Sequence, residues 1–189
     1  MAKLLDKILV IDIEATCWKD APPPAGQANE IIEIGIVTVN VATLQREEKH
    51  SILVKPESEI SAFCTQLTTL TADDLQGAGT LTDACAILKS EFLSKDRPWA
   101  SWGNYDRQQF SKECAAKSVE YPFGDSHLNV KTLYSVSYGL TSERGMATAL
   151  RRLGMPLDGT HHRGADDAWN IAGILCHIFG KIRLGAEIK

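Results

Sequence analysis

Three runs rich in Ile and Val set the pattern of the first third of the chain. They are Lys7–Ile13, Glu30–Asn40 and Leu44–Val54. Their β-branched composition and short length predict strands rather than helices. The Pro- and Gly-rich stretch "DAPPPAGQAN" (Asp20–Asn29) separates the first two as a loop that permits an antiparallel return. Next, "SAFCTQLTTLTADDLQGAGTL" reads as turn and short helix, and Thr82–Ser94 carries apolar residues at helical spacing. "RPWASWG" (Arg97–Gly103) reads as a short buried strand, after which Asn104 is placed to cap a helix running to about Ser118. "HLNVKTLY" begins as a strand and becomes helical. Glu143–Leu153 and Ala165–Phe179 close the chain as helices, ended by Gly154 and Gly180. Three strands followed by strand–helix alternation predict an α/β domain with a mixed sheet and helices on its faces.

Composition narrows the classes. A length of 189 residues suits one domain, 1–189, with a full core. Hydrophobic residues at 44% and charged residues at 23% are ordinary for a globular chain. Met1–Lys7 is too mixed for a signal peptide, and no stretch reaches membrane-spanning length, so no membrane association is expected. Cys17, Cys64, Cys85, Cys114 and Cys176 are scattered and form no C-x-x-C pair, which indicates neither a zinc site nor a disulfide framework. A reducing, cytoplasmic setting is expected.

The net charge of −4 argues against a generic nucleic-acid coat protein. Its distribution is uneven, however. Residues 1–96 carry 8 basic and 15 acidic groups, and residues 97–189 carry 12 and 9. Lys131, Arg144, Arg151, Arg152 and Arg163 therefore form a candidate patch for a phosphate backbone, or else a solvated helix face.

Acids in three separate places carry the candidate chemistry. Asp12 and Glu14 lie in "ILVIDIEATC". On a strand they share one face, while Ile11 and Ile13 point to the other. Two carboxylates this close repel, and a hard cation such as Mg²⁺ or Mn²⁺ relieves them. Alone, D-x-E describes two acids on a solvent-facing strand equally well. Asp106, in "SWGNYDRQQF", falls near a helix start, where an acid also serves the helix dipole. Tyr105 beside it is either a stacking platform or a core aromatic. Asp167 lies in the first turn of the last predicted helix, and His161 and His162 precede it in a loop with Gly164. A loop His beside a helix-borne acid suits a general base, but composition alone does not choose between the two imidazoles.

With these blocks in order, the chain resembles the DEDD exonucleases of the histidine subtype, which have a ribonuclease-H-like mixed sheet flanked by helices. The matching blocks are "IDIEATC", "WGNYDRQQF" and "HHRGADDAWNIA". The resemblance implies that Asp12, Glu14, Asp106 and Asp167 are the four metal-binding acids. The family's base precedes its last acid by five residues, which selects His162. "ISAFCTQLTTLT" further resembles the enhanced-RNAi and histone-mRNA 3′-exonuclease branch, with Thr69 where that branch has Gly.

The resemblance implies a 3′→5′ exonuclease that releases nucleoside 5′-monophosphates from single-stranded 3′ ends, RNA favoured over DNA. Two divalent cations, Mg²⁺ or Mn²⁺, about 3.5–4 Å apart would hold the attacking and leaving oxygens in line. Asp12 would bridge them, Glu14 and Asp167 would complete the site of the attacking water, and Asp106 would support the second ion. His162 would take the water's proton. Backbone groups of Ala15 and Thr16 are expected at the terminal 3′-hydroxyl. Phe63, Leu67 and Tyr105 are expected at the terminal bases. Three alternatives remain at this stage. They are a DNA exonuclease of the same fold, an inactive nucleic-acid-binding module, and a haloacid-dehalogenase-type phosphatase, for which Glu14 stands where an Asp is usual and the lysine block is missing.

Overall fold

A computed structural model describes residues 2–20 and 22–185. Five strands form one mixed sheet, in the order β3-β2-β1-β4-β5. The strands are β1 (Lys7–Ala15), β2 (Ile31–Asn40), β3 (Arg46–Leu53), β4 (Trp99–Ser101) and β5 (His127–Asn129). β1, β2 and β3 pair antiparallel, as the Pro-rich loop permits, while β4 joins β1 in parallel and β5 joins β4 in parallel.

Among the described residues there are seven helices: α1 (Ala62–Thr68), α2 (Ala72–Leu75), α3 (Leu81–Glu91), α4 (Tyr105–Ala116), α5 (Val130–Ser137), α6 (Met146–Leu153) and α7 (Gly164–Gly185). Strand alternation divides the apolar residues between the two faces of the sheet. Leu9, Ile11, Ile13, Ile34 and Ile36 pack with Leu81, Cys85 and Leu88 of α3 and Phe110 and Cys114 of α4. Ile8, Val10, Val37 and Val39 face the other way, onto Tyr134 of α5, Leu150 of α6, and Ile171, Ile174, Leu175 and Ile178 of α7. The central strands β1 and β2 are thus buried on both sides, while the edge strand β3 stays largely exposed.

Several boundaries differ from the sequence expectation. Gly180 does not end the last helix, which continues to Gly185. An interior Gly costs a helix about 1 kcal/mol, and beyond it Arg183 donates to the Val41 and Ala42 carbonyls at 2.6 and 3.0 Å, which ties the last turn to the chain between β2 and β3. Asn104 occupies the N-cap position of α4, yet its side chain makes no capping hydrogen bond. The helix expected from Glu143 begins at Met146, with Gly145 as N-cap, and ends as expected at Gly154 in a left-handed turn. Among the described residues, no helix is long and apolar enough to cross a membrane.

Candidate active site

Asp12 and Glu14 project from the end of β1 on the face shared with Ile8 and Val10, opposite Ile11 and Ile13. The parallel pairing of β1 with β4 runs through Leu9 and Val10. Beyond it the backbone N–H of Ile13 donates to Asp106 Oδ1 at 3.1 Å. That bond ties the first turn of α4 to the central strand and buries Asp106 beside Asp12.

Asp167 arrives from the other side, in the first turn of α7. The start of this helix lies directly on the sheet. A Cβ at Gly35 would be 1.9 Å from the carbonyl carbon of Gly164, and one at Gly164 would be 2.9 Å from the Gly35 nitrogen and 3.0 Å from the Asp12 carbonyl oxygen. Gly35 is the cross-strand partner of Asp12. Only two glycines permit this backbone contact, and it delivers Asp167 to the β1 acids. One carboxylate oxygen each from Asp12, Glu14 and Asp167 lie within 4.8 Å of one another.

The histidine loop closes over Asp167. Its Oδ2 accepts the His162 backbone N–H at 3.0 Å. His161 Nδ1 lies 2.9 and 3.1 Å from the two Asp167 oxygens. The two imidazoles stack, with centroids 4.0 Å apart. His162 has φ +65°, the left-handed region, and this turns the chain between the two rings. The ring in contact with Asp167 therefore belongs to His161, while the His162 ring lies against it and is held to Asp167 through its backbone.

The electrostatics are those of an uncompensated acid cluster. Burial raises Asp12 well above the usual carboxylate range, and Asp106, Glu14, Asp167 and Glu33 raise it further. Glu14 is pushed up to about 8 by burial, then by Asp167, Glu33 and Asp106. Burial lifts Asp106 to about 6 against the opposing hydrogen bond from Ile13. Asp167 is raised by burial, with the His162 N–H and His161 opposing. His162 is lowered by burial and by the neighbouring His161, against Asp167. Four acids that resist ionising together fit divalent cations, with the carboxylate oxygens of Asp12, Glu14 and Asp167 as hard donors and the His161 and His162 rings at the edge of Asp167.

Glu33 was not among the expected site residues. It lies opposite Glu14 across the β1–β2 ladder and is fully buried. Its charge is met internally by Arg163, Gly164 and Ser51. A glutamate at an inward position of the Ile-rich run "EIIEIGIV" was the sequence signal for it. Arg163 is consequently held by the buried Glu33 through Nε and Nη2, although its side chain stays 33% exposed. Lys131 pairs with Glu143, while Arg144, Arg151 and Arg152 stay exposed.

The expected substrate contacts divide. Thr16 is fully buried and its polar groups are engaged. Its N–H donates to the Glu30 carbonyl, its carbonyl accepts from Asn29 Nδ2, and its hydroxyl donates to the Ala28 carbonyl and accepts from the Glu30 N–H. Thr16 thus fastens the Pro-rich loop rather than presenting a group to a 3′ end. The Ala15 carbonyl accepts the Cys64 thiol at 3.6 Å. Phe63 and Leu67 share one side of α1, one turn apart, while Cys64 and Thr68 bury the other. Phe63 is 37% exposed, so it is not a packing residue of the core. Tyr105 is 54% exposed, and its phenol is pushed up to about 12 by partial burial and by Asp106 and Glu14, which places it beside the acids. Thr69 ends α1 at φ +64°. This is a left-handed cap that glycine fills without strain, and a β-branched residue holds it at a cost.

Comparison with known proteins fits this arrangement. A family model described as Exonuclease (RNase_T) matches residues 9–175. Human "3'-5' exoribonuclease 1" is 33% identical over 195 residues, covering 97% of this chain and 54% of the relative. The chain spans about half the length of the curated relatives that it matches first. The crystal structure of the nuclease domain of 3'hExo, described as a DEDDh family member bound to rAMP, superposes with a TM-score of 0.83 at 30% identity, covering 96% of this chain and 95% of that one. A structure of a 3'-exonuclease recognising a histone mRNA stem-loop superposes equally well, with a TM-score of 0.83 at 30% identity over 95% of this chain and 65% of that one. The fold is therefore the ribonuclease-H-like fold of 3′ exonucleases.

Proposed function

The chain belongs to the exonuclease family, and from that premise we propose that it is a metal-dependent 3′→5′ exonuclease acting on single-stranded ends, RNA favoured over DNA. The observation that carries this reading is the convergence of Asp12, Glu14 and Asp167 within 4.8 Å, with Asp106 tied to Ile13 beside them. The preference for RNA is supported by the exoribonucleases among its relatives and by the RNA-bound 3'-exonuclease structure.

In this reading Asp12, Glu14, Asp106 and Asp167 hold two divalent cations, Mg²⁺ or Mn²⁺. Such ions supply charge neutralisation at the scissile phosphate and make a nearby water more acidic. His162 takes the proton of the attacking water. Burial and His161 depress its basicity, which keeps the imidazole neutral and ready to accept at neutral pH. The water oxygen bonds to phosphorus as the bond from phosphorus to the 3′-oxygen of the preceding nucleotide breaks, that oxygen takes a proton from solvent, and a nucleoside 5′-monophosphate is released. Phe63, Leu67 and Tyr105 form the apolar and aromatic rim against which terminal bases stack. The five cysteines are free thiols, which supports a reducing, cytoplasmic location. Family membership removes the support for a haloacid-dehalogenase-type phosphatase. The inactive binding module is disfavoured because every acidic position and the histidine are filled.

The test is a time course on 5′-labelled RNA and DNA oligomers of one sequence, with Mg²⁺, with Mn²⁺ and with chelator. A ladder shortening from the 3′ end, faster on RNA, abolished by chelator and by Asp12→Ala, is expected. Metal-independent cleavage, or shortening from the 5′ end, would refute the reading.

A further inference from the structure

Glu33 is an acid that the chemistry above does not use, yet it is fully buried in mid-strand and faces Glu14 across the ladder. Like charges directly opposed on neighbouring strands destabilise a sheet. A buried carboxylate persists in such a place only when it is paired and hydrogen-bonded. Glu33 has four donors. Oε1 accepts from the Ser51 hydroxyl at 2.6 Å and from Arg163 Nη2 at 3.3 Å. Oε2 accepts from Arg163 Nε at 3.0 Å and from the Gly164 N–H at 3.0 Å. With both oxygens filled, it is not free to hold a cation.

Two of those partners lie between His162 and Asp167. Arg163 directly follows His162, and Gly164 opens the helix that carries Asp167. The Nε/Nη2 edge of Arg163 meets the carboxylate at two points, which fixes the plane of the guanidinium as well as its distance. Beneath it, Gly164 and Gly35 are in backbone contact. The segment at 162–164 is thus gripped from the same strand that pairs with Asp12 and Glu14.

We propose that Glu33 and Arg163 are positioning residues, a clamp built on a buried carboxylate that fixes the 162–164 backbone so that His162 and Asp167 keep their placement against Asp12 and Glu14. This rests on the exonuclease reading. It assigns to Arg163 a role different from a phosphate contact through its Nε/Nη2 edge, because that edge is already on Glu33.

The test uses Arg163→Ala, Arg163→Lys, Glu33→Gln and the neutral pair E33Q/R163Q, which leaves no unpaired buried charge if a single variant fails to fold. Three quantities are read: kcat and KM on single-stranded RNA, the fraction folded, and amide exchange at His162 and Gly164 in metal-free protein. Loss of a group that orients a metal ligand costs about 10–100-fold in activity. Arg163→Ala and E33Q/R163Q should therefore lose about 10–100-fold in kcat per folded molecule, with KM within about threefold of wild type. Arg163→Lys, which keeps the charge without the fork, should fall between. Added guanidinium ion should restore part of the Arg163→Ala rate and none of the Asp12→Ala rate. Exchange at both amides should speed by about tenfold or more as the clamp opens. A kcat within about twofold of wild type overturns the proposal, as does a raised KM with kcat kept, which would make Arg163 a phosphate contact. If the wild type cleaves no oligomer, the exonuclease reading falls by itself. Amide exchange then still decides whether the clamp exists: faster exchange supports it, and unchanged exchange overturns it.

Discussion

Replacing Glu14 by Gln should destroy activity and yet stabilise the metal-free protein. Glu14 is 8% exposed, and its carboxyl is lifted from 4.5 to about 8. That difference corresponds to about 5 kcal/mol between the protonation states. The sign follows from linkage. A carboxyl with a raised folded pKa holds a proton in the native state that the unfolded chain has lost. Its contribution is fully present below about pH 4.5 and is lost as pH rises through about 8. Gln at this position removes the titration but buries an amide, which costs about 1–3 kcal/mol if poorly paired. A net gain of about 2 kcal/mol is expected near pH 8, or roughly 4–8 °C in Tm for a chain of this size. The assay is thermal unfolding of wild type and Glu14→Gln in chelator at about pH 8 and about pH 5. The gap should shrink at the lower pH, where Glu14 is protonated in the native state. With Mg²⁺ or Mn²⁺ in excess the order should reverse, because only the wild type gains the full binding energy. A variant that melts no higher than wild type in chelator at about pH 8, or by the same margin at both pH values, refutes the account.

Other variants test the remaining assignments. His162→Ala should lower kcat by about 10²–10⁴-fold and leave Mn²⁺ binding by calorimetry nearly intact. His161→Ala, which loses the contact with Asp167, should cost about 10–100-fold and less than His162→Ala, and the reverse ranking in steady-state kinetics would make His161 the base. The double variant F63A/L67A removes the exposed apolar ridge of α1. It should raise KM for single-stranded ends by about tenfold or more while Tm stays close to wild type, whereas a large fall in Tm would return Phe63 to the core. Thr69→Gly relieves the left-handed cap at φ +64° and should raise stability by about 1 kcal/mol in denaturant titrations. Gly35→Ala places a Cβ 1.9 Å from the Gly164 backbone and should cost about 3 kcal/mol or more, with activity falling further than the folded fraction.

Local patterns made much of this protein legible. The Ile- and Val-rich runs marked β1, β2 and β3 because strand periodicity and β-branching leave their signature within a few residues. The same period of two put Asp12 and Glu14 on one face, and the structure has them there. Helix α3 was legible from 3.6-residue spacing and α4 from Asn104 at its start, although the far end of α7 was not, because the bonds of Arg183 to the Val41 and Ala42 carbonyls override the Gly180 signal. The role of Asp106 was visible only through family resemblance. Nothing local indicates that its carboxylate meets an N–H 93 residues away. Thr16 went the other way. The loop that consumes its hydrogen bonds returns to it from Ala28–Glu30, and composition does not reveal where a loop folds back.

By itself, then, the sequence determined which residues are acids on a common strand face, where the strands and most helices run, and which family's blocks are present. The tertiary structure alone decided how the blocks meet. It seated Gly164 on Gly35, turned Arg163 inward to a glutamate 130 residues earlier, and put His161 rather than His162 in ring contact with Asp167. The reason is physical. Periodicity encodes the face on which a side chain lies, whereas the partner that neutralises a buried charge is chosen by strand order and by the few places where two backbones can touch.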